Sequence, residues 1–277
     1  MKKNAFQSFA AVPHSVWVVM FIVAPLLFVL AFAFRGADGS FSLANVAELS
    51  QYGNVFVLSI AFALIATVIC LLIGYPLAYF MSRQSARAQR ILMVLVMLPM
   101  WCNLLIRTYA LMALLDNGGL LNSLLVRIGL PKIPIVGTNF GVILGMVYDF
   151  LPYMVLPIFT AMTKLDQRYI EASHDLGCNA WQTLTRVVFP LTMSGVISGV
   201  TMVFVPSIST FYISQKLGAG KIDLVGDTIE RLFQNTSTYG VGAAISLVMM
   251  VLILVSVSIM NRFSSDEEDE KKGGIFK

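Results

Sequence analysis

Apolar residues in this chain run on for about twenty positions or more at a time, separated by short polar stretches. Neither the alternation of a half-buried strand nor the 3.6-residue stripe of a soluble helix dominates. Six runs stand out, at about residues 14–34, 55–81, 91–115, 139–163, 187–213 and 241–262. Each is long enough to cross about 30 Å of hydrocarbon as a helix. The pattern predicts an all-α, polytopic membrane protein with six transmembrane helices. The first run follows a basic start and contains the small-residue "AFA", as a secretion signal does. Its apolar core exceeds the usual length of such a signal, so a retained first helix is expected.

A polar interruption between two apolar runs is "KLDQRYIEASHDLGCNAWQTLTR", residues 164–186. Asp166 is placed to cap a helix, Tyr169, Ala172 and Leu176 recur at helical spacing, and Gly177 supplies a stop. A helical pattern resumes in "NAWQTLTRVVF" until Pro190. Two short helices joined at Gly177 are expected on the membrane surface, exposing a mixed-charge face.

Composition agrees: of 277 residues, 57% are hydrophobic and 12% charged, and mean hydropathy is +0.80. A soluble domain of this length needs more charge on its surface. The net charge of +4 therefore bears on topology rather than on nucleic acid, and no nucleic-acid partner is expected. Placing the N-terminus in the cytoplasm puts Lys2, Lys3, Arg83, Arg87, Arg90, Lys164, Arg168, Arg186, Arg262, Lys271, Lys272 and Lys277 inside. Arg35, Arg127, Lys132, Lys216, Lys221 and Arg231 then lie outside, a ratio of 12 to 6, with Arg107 within a span. The positive-inside bias thus predicts cytoplasmic N- and C-termini. Cys70, Cys102 and Cys178 match neither a disulfide framework nor a metal-ligand spacing.

The expected organisation has three parts. Residues 1–50 hold the cytoplasmic start, the first helix and an external loop. Residues 51–263 form the membrane domain with the polar loop at about 164–186. Residues 264–277, "SDEEDEKKGGIFK" preceded by Ser264, form a charged and disordered cytoplasmic tail. Gly141 and Gly145, and again Gly195 and Gly199, have the spacing that lets helix backbones approach closely. Pro76, Pro99, Pro152, Pro157 and Pro206 interrupt apolar helices, and the carbonyls they free need neighbours or a wet cavity.

The polar loop resembles the EAA motif of bacterial ABC importer permeases. Glu171-Ala172-Ser173, three residues, Gly177, nine residues and Val187-Val188-Phe189-Pro190 follow that family's E-A-A, G and I-x-L-P. Ser173 replaces the second Ala and Phe189 the Leu. The resemblance implies a coupling helix that docks on a cytoplasmic ATPase, with Glu171, Ala172, Ser173, Asp175, Leu176 and Gly177 as the coupling residues. It also implies a second homologous permease subunit, two ATP-binding cassette ATPases and an extracellular binding protein, in a bacterial cytoplasmic membrane. Nothing on this chain matches a phosphate loop, because "KLGAGKID" lacks the required Gly and Ser or Thr at 215 and 222. No cofactor is expected here; ATP and Mg belong to the partner ATPase.

"NLLIRTYALMALLDNGGLLN", "FLPYMVLPIFTAMTKLD" and "FPLTMSGVISG" further resemble the polyamine branch of these permeases, specifically the first membrane subunit of a spermidine/putrescine importer. Relatives for ferric iron, thiamine or phosphonates share the EAA loop, so these solutes remain alternatives. A polyamine needs carboxylates, carbonyls or aromatic faces along its path. Asp149 is the only acid within an expected span, and a charged group there is costly enough to suggest function. Tyr148, Phe150 and Tyr153 flank it, while Arg107 lies at a similar depth. Asp149 thus stands as a cargo contact, as half of an Arg107–Asp149 ion pair, or in a proton-linked or other role. In this family the third and fifth spans line the passage. Trp101, Asn103 and Tyr109, with Ser207, Ser209, Thr210 and Tyr212, are therefore further passage candidates or interhelical hydrogen-bonding groups.

An enzyme is not expected. The two histidines, His14 and His174, form no triad or zinc motif, and no G-x-S-x-G occurs. The remaining rival is an ion-coupled secondary transporter, which needs an intramembrane acid at a broken helix.

Overall fold

The computed structural model describes residues 5–36 and 39–273; the side chains of 5–11, 261 and 263–273 are also left aside. Lys2, Lys3 and Lys277, which enter the orientation argument, lie outside the described residues, as do the side chains of Lys271 and Lys272. Among the described residues the β pairing is a single bridge between Arg35 and Phe41. All else regular is helix: α1 (Ala5–Val18), α2 (Ala24–Ala33), α3 (Ala44–Ala47), α4 (Gly53–Ser82), α5 (Ala86–Trp101), α6 (Leu104–Leu115), α7 (Leu120–Arg127) and α8 (Asn139–Thr163). Then follow α9 (Gln167–Asp175), α10 (Ala180–Thr183), α11 (Phe189–Leu191), α12 (Met193–Ser209), α13 (Tyr212–Leu217), α14 (Val225–Phe233) and α15 (Tyr239–Gly273).

Among the described residues five helical stretches are long and apolar enough to cross a membrane, or six where a bent pair is counted as one span. They are Val12–Ala33, Ala44–Ser82, Leu104–Arg127, Asn139–Thr163 and Thr236–Met260, with Ala180–Leu191 and Met193–Ser209 meeting at 70°. The expected six spans therefore stand, with two corrections. The third does not run unbroken over 91–115, because Cys102 is extended and Asn103 starts a new helix, its side chain accepting from Leu105 N at 2.8 Å. The fifth breaks at Thr192, which carries φ −106° and ψ 8°. The Thr192 hydroxyl donates to Val188 O at 2.8 Å and lies 3.2 Å from the Tyr75 hydroxyl, holding the corner.

Prolines explain two further irregularities. Wide π turns at Val19–Val23 and Leu184–Val188 sit just before Pro25 and Pro190. A proline ring clashes with the carbonyl four residues back and offers it no N–H, so the helix locally takes up an extra residue. The tail is helical to Gly273 rather than irregular; glutamate and lysine are good helix formers, and nothing apolar is required for that. Residues 274–277 of the expected tail lie outside the described residues.

The contacts divide the chain into two compact units, Met1–Asn54 with Thr228–Leu252, and Val55–Asp227 with Ile253–Lys277. Residues 228–252 thus group with the N-terminal segment and not with the rest of the expected membrane domain, 51–263. In that first unit Ala33, Ala243 and Ala244 form a small core with Val29, Phe34 and Leu247. Asn45 Nδ2 donates to Ala33 O at 3.2 Å and Arg35 O at 3.0 Å, satisfying carbonyls that end α2. Trp17, Phe21 and Phe28 are exposed, as an apolar helix facing lipid or another subunit must be.

The second unit holds the large core, built around Met146, Met154, Ile158, Val203, Ile213 and Leu217. α8 and α12 pack most extensively, through glycine. A Cβ on Gly195 would stand 2.6 Å from Ala161 Cβ and 2.8 Å from Pro157 O, and one on Gly199 2.8 Å from Met154 Sδ. Thus the Gly195/Gly199 pair does join helices. Gly141 and Gly145 serve separate neighbours: the Ile135 carbonyl and α13's Leu217 and Ile213. Gly195→Ala is expected to destabilise the α8–α12 contact by about 1–3 kcal/mol, lowering the melting temperature in detergent. Gly53→Ala, whose Cβ meets nothing within 4 Å, should leave it unchanged.

Candidate functional site

Local chemistry builds the polar loop as two capped helices at right points in the sequence. Asp166 Oδ1 accepts from Arg168 N at 3.0 Å and starts α9, as expected. At the other end Gly177 N donates to His174 O at 2.9 Å and Cys178 N to Ser173 O at 3.0 Å. These paired bonds close a Schellman turn, which needs a left-handed residue, and Gly177 has φ +81°. α10 begins with a reciprocal cap that the sequence reading missed: Gln182 N donates to Asn179 Oδ1 at 2.8 Å and Asn179 N to Gln182 Oε1 at 2.9 Å. The N-x-x-Q spacing carried that signal. The second segment is not a separate surface helix, however, since α10 continues through the π turn into α11.

The two faces of α9 divide sharply. Ile170 and Ser173 are buried. Glu171, Ala172, Asp175 and Leu176 are exposed, Leu176 at 84%. Tyr169 and Trp181, neither counted among the coupling residues, add exposed aromatic surface at 56% and 71%. Ser173 is the correction to the coupling set. Its hydroxyl donates to Ile170 O at 2.7 Å and meets the Thr183 hydroxyl at 3.0 Å, tying α9 to α10. It points inward because it lies three residues from Ile170, one helical turn along the same face.

Within the bundle, α6 and α8 bring Arg107 and Asp149 together. Arg107 Nε lies 2.5 Å from Asp149 Oδ1, with the two side chains 7% and 0% exposed. Arg107 Nη2 donates to Asp149 O at 3.4 Å, and the Thr108 hydroxyl donates to Oδ2 at 3.2 Å. The pairing is electrostatic rather than a linear hydrogen bond, as Nε, Nη1 and Oδ1 have no aligned hydrogen-bond partner. The Arg107 guanidinium also lies 5.8 Å from the centre of the Tyr148 ring. Of the roles open for Asp149, the geometry shows the ion pair, with the carboxylate fully buried.

The aromatic candidates separate as well. Tyr109 and Tyr212 come together, their ring centres 5.9 Å apart and nearly perpendicular. The ammonium of Lys216, overlooked in the sequence, lies 4.9 Å from the Tyr109 ring and 5.5 Å from the Tyr212 ring. Hydrogen bonding with the Tyr109 hydroxyl holds its pKa above the ordinary lysine value. Tyr148, Tyr153 and Trp101 are exposed but stand apart from this pair. Asn103 is used as the α6 cap. Ser207 is buried and donates to Val203 O at 2.6 Å, Thr210 is buried, and Ser209 is exposed. Among the described residues no cluster of His, Cys, Asp or Glu is arranged to hold a metal ion.

Residues 74–267 match the family described as binding-protein-dependent transport system inner membrane component. The spermidine/putrescine transport system permease protein PotB of Haemophilus influenzae is 38% identical over 269 residues, covering 94% of each chain. The protein of that name from Escherichia coli is 36% identical over 247 residues, covering 86% of this chain and 90% of its own. Among solved structures, a subunit in the crystal structure of a bacterial alginate ABC transporter in complex with alginate pentasaccharide-bound periplasmic protein superposes with a TM-score of 0.75. That superposition covers 94% of this chain and 93% of the other at 18% identity, a likeness of fold alone.

Proposed function

Given that this chain belongs to the family of binding-protein-dependent transport system inner membrane components, we propose that it is a membrane subunit of an ATP-driven importer of spermidine and putrescine. The substrate class rests on the two PotB relatives, aligned over most of their length. The single observation that carries the coupling role is the α9 elbow. It presents Glu171, Ala172, Asp175 and Leu176 outward on a short helix whose far side is pinned by Ile170 and Ser173.

In this reading the chain forms half of a passage with a homologous subunit, and two ATPase subunits bind ATP and Mg. Closure of the ATPases presses on α9. Because α9 is tied to α10, and α10 runs without interruption to the Thr192 corner, the push reaches α12 and through it α8. A rigid element moved as a body suits this task better than a flexible loop. An external binding protein delivers the cargo. The N- and C-termini and the 164–186 loop lie in the cytoplasm, following the Lys and Arg bias.

Two measurements test the proposal. Vesicles carrying the complete importer should accumulate spermidine with ATP after the membrane potential is collapsed; uptake that needs the potential and ignores ATP would instead indicate a secondary transporter. Cys178, a free and partly exposed thiol, should react with an impermeant maleimide in inside-out vesicles and not in right-side-out ones. The reverse labelling would place the loop on the wrong side for an ATPase.

A further inference from the structure

The Lys216–Tyr109–Tyr212 cluster differs from the Arg107–Asp149 pair and brings one cation to two tyrosine rings. The Arg107–Asp149 pair is neutral as a unit and buried, whereas Lys216 has tyrosine rings where an acid would ordinarily stand. Tyr212 and Lys216 are four residues apart on α13, so they share one face of that helix. Tyr109 comes from α6 and is 47% exposed. α13 is fixed behind the cluster by close packing: Ile213 and Leu217 meet α8 where Gly145 leaves room, and Gly137 N donates to Leu217 O at 2.7 Å. The two rings are therefore held by separate helices against a rigid backing, Tyr109 exposed and Tyr212 half-buried.

A primary ammonium hydrogen-bonded to a tyrosine hydroxyl, 4.9 Å and 5.5 Å from two tyrosine ring centres, shows the contact that a polyamine's terminus would make. We infer that Tyr109 and Tyr212 form a cation site for one ammonium of the cargo, and that Lys216 occupies it when cargo is absent. The inference rests on the polyamine reading above. Lys216 then has two effects. It satisfies the rings and keeps the unloaded site from holding some other cation. It also competes with arriving cargo, so that the ammonium is bound weakly enough to leave. On a flexible four-carbon stem, its head can swing aside without moving α13.

The test uses the complete importer, with ATP bound and hydrolysis blocked, and measures equilibrium binding of radiolabelled spermidine without binding protein. Lys216→Met removes the competing cation and should tighten binding about threefold, within the range of one exposed cation–π contact. Lys216→Gln should behave similarly, and Lys216→Arg should match the wild type, since guanidinium also stacks on tyrosine. Tyr109→Leu with Tyr212→Leu should weaken binding, and adding Lys216→Met to that pair should then bring no gain. Unchanged or weaker binding in both Lys216→Met and Lys216→Gln overturns the inference. So does an equal gain with and without the tyrosines, which would mean general charge repulsion. In either case a wild type that still imports spermidine leaves the polyamine reading standing. A wild type that neither binds nor imports spermidine overturns that reading, and this inference with it.

Discussion

Gly177→Pro should abolish uptake while leaving membrane insertion intact. Proline is confined near φ −65°, whereas Gly177 sits at +81°. The substitution also removes the N–H that donates to His174 O. It further disfavours Leu176, whose ψ of 5° is far from the extended values that a residue before a proline favours. The turn between α9 and α10 cannot survive these three conflicts, and the outward face of α9 is re-aimed. Gly177→Ala is milder: its Cβ meets nothing within 4 Å, and the left-handed backbone costs about 1 kcal/mol. Glu171→Lys leaves the turn alone and reverses a charge on the exposed face. A docking loss of roughly 1.4 kcal/mol lowers ATPase association about tenfold, so co-purification of the ATPase should fall with uptake. Normal uptake in Gly177→Pro or Glu171→Lys would contradict the docking role.

Breaking the Arg107–Asp149 pair should be costly and reversible. Arg107→Gln or Asp149→Asn leaves one buried charge without its partner, which costs about 3–5 kcal/mol. Each single variant should lose most uptake and melt at a lower temperature in detergent. The double variant places two neutral amides where the charges were, with Thr108 still 3.2 Å from the position of Oδ2. It should recover both stability and transport. If the double variant is as inactive as Asp149→Asn alone while its stability returns, Asp149 contributes to transport beyond pairing with Arg107.

How much of this was legible in advance follows from how local each feature is. Spans were visible because the bilayer demands an unbroken apolar length, which any window of the chain reports. α9 was visible for the same reason: Asp166, Gly177 and the spacing between them are all within one short segment. The Arg107–Asp149 pair was half visible, because two opposite charges at like depth narrow the options, but only packing of α6 against α8 chooses among them. The breaks at Cys102 and Thr192 were missed. An apolar residue count does not register a change of φ and ψ, and Thr192 is held by Tyr75 from a distant helix.

The amino-acid order alone determined a multi-span helical membrane protein and the place of the polar loop at 164–186, since both are written in neighbouring residues. The tertiary structure decided which residues of that loop face inward, turning Ser173 away from the exposed face of α9 through its bond to Thr183. It also decided that Lys216 meets Tyr109, on helices far apart along the chain. Contacts of that kind depend on which helices pack together, and in a membrane close packing at residues such as Gly145, Gly195 and Gly199 makes that choice. Hydropathy carries no information about it, because lipid and a neighbouring helix are equally apolar.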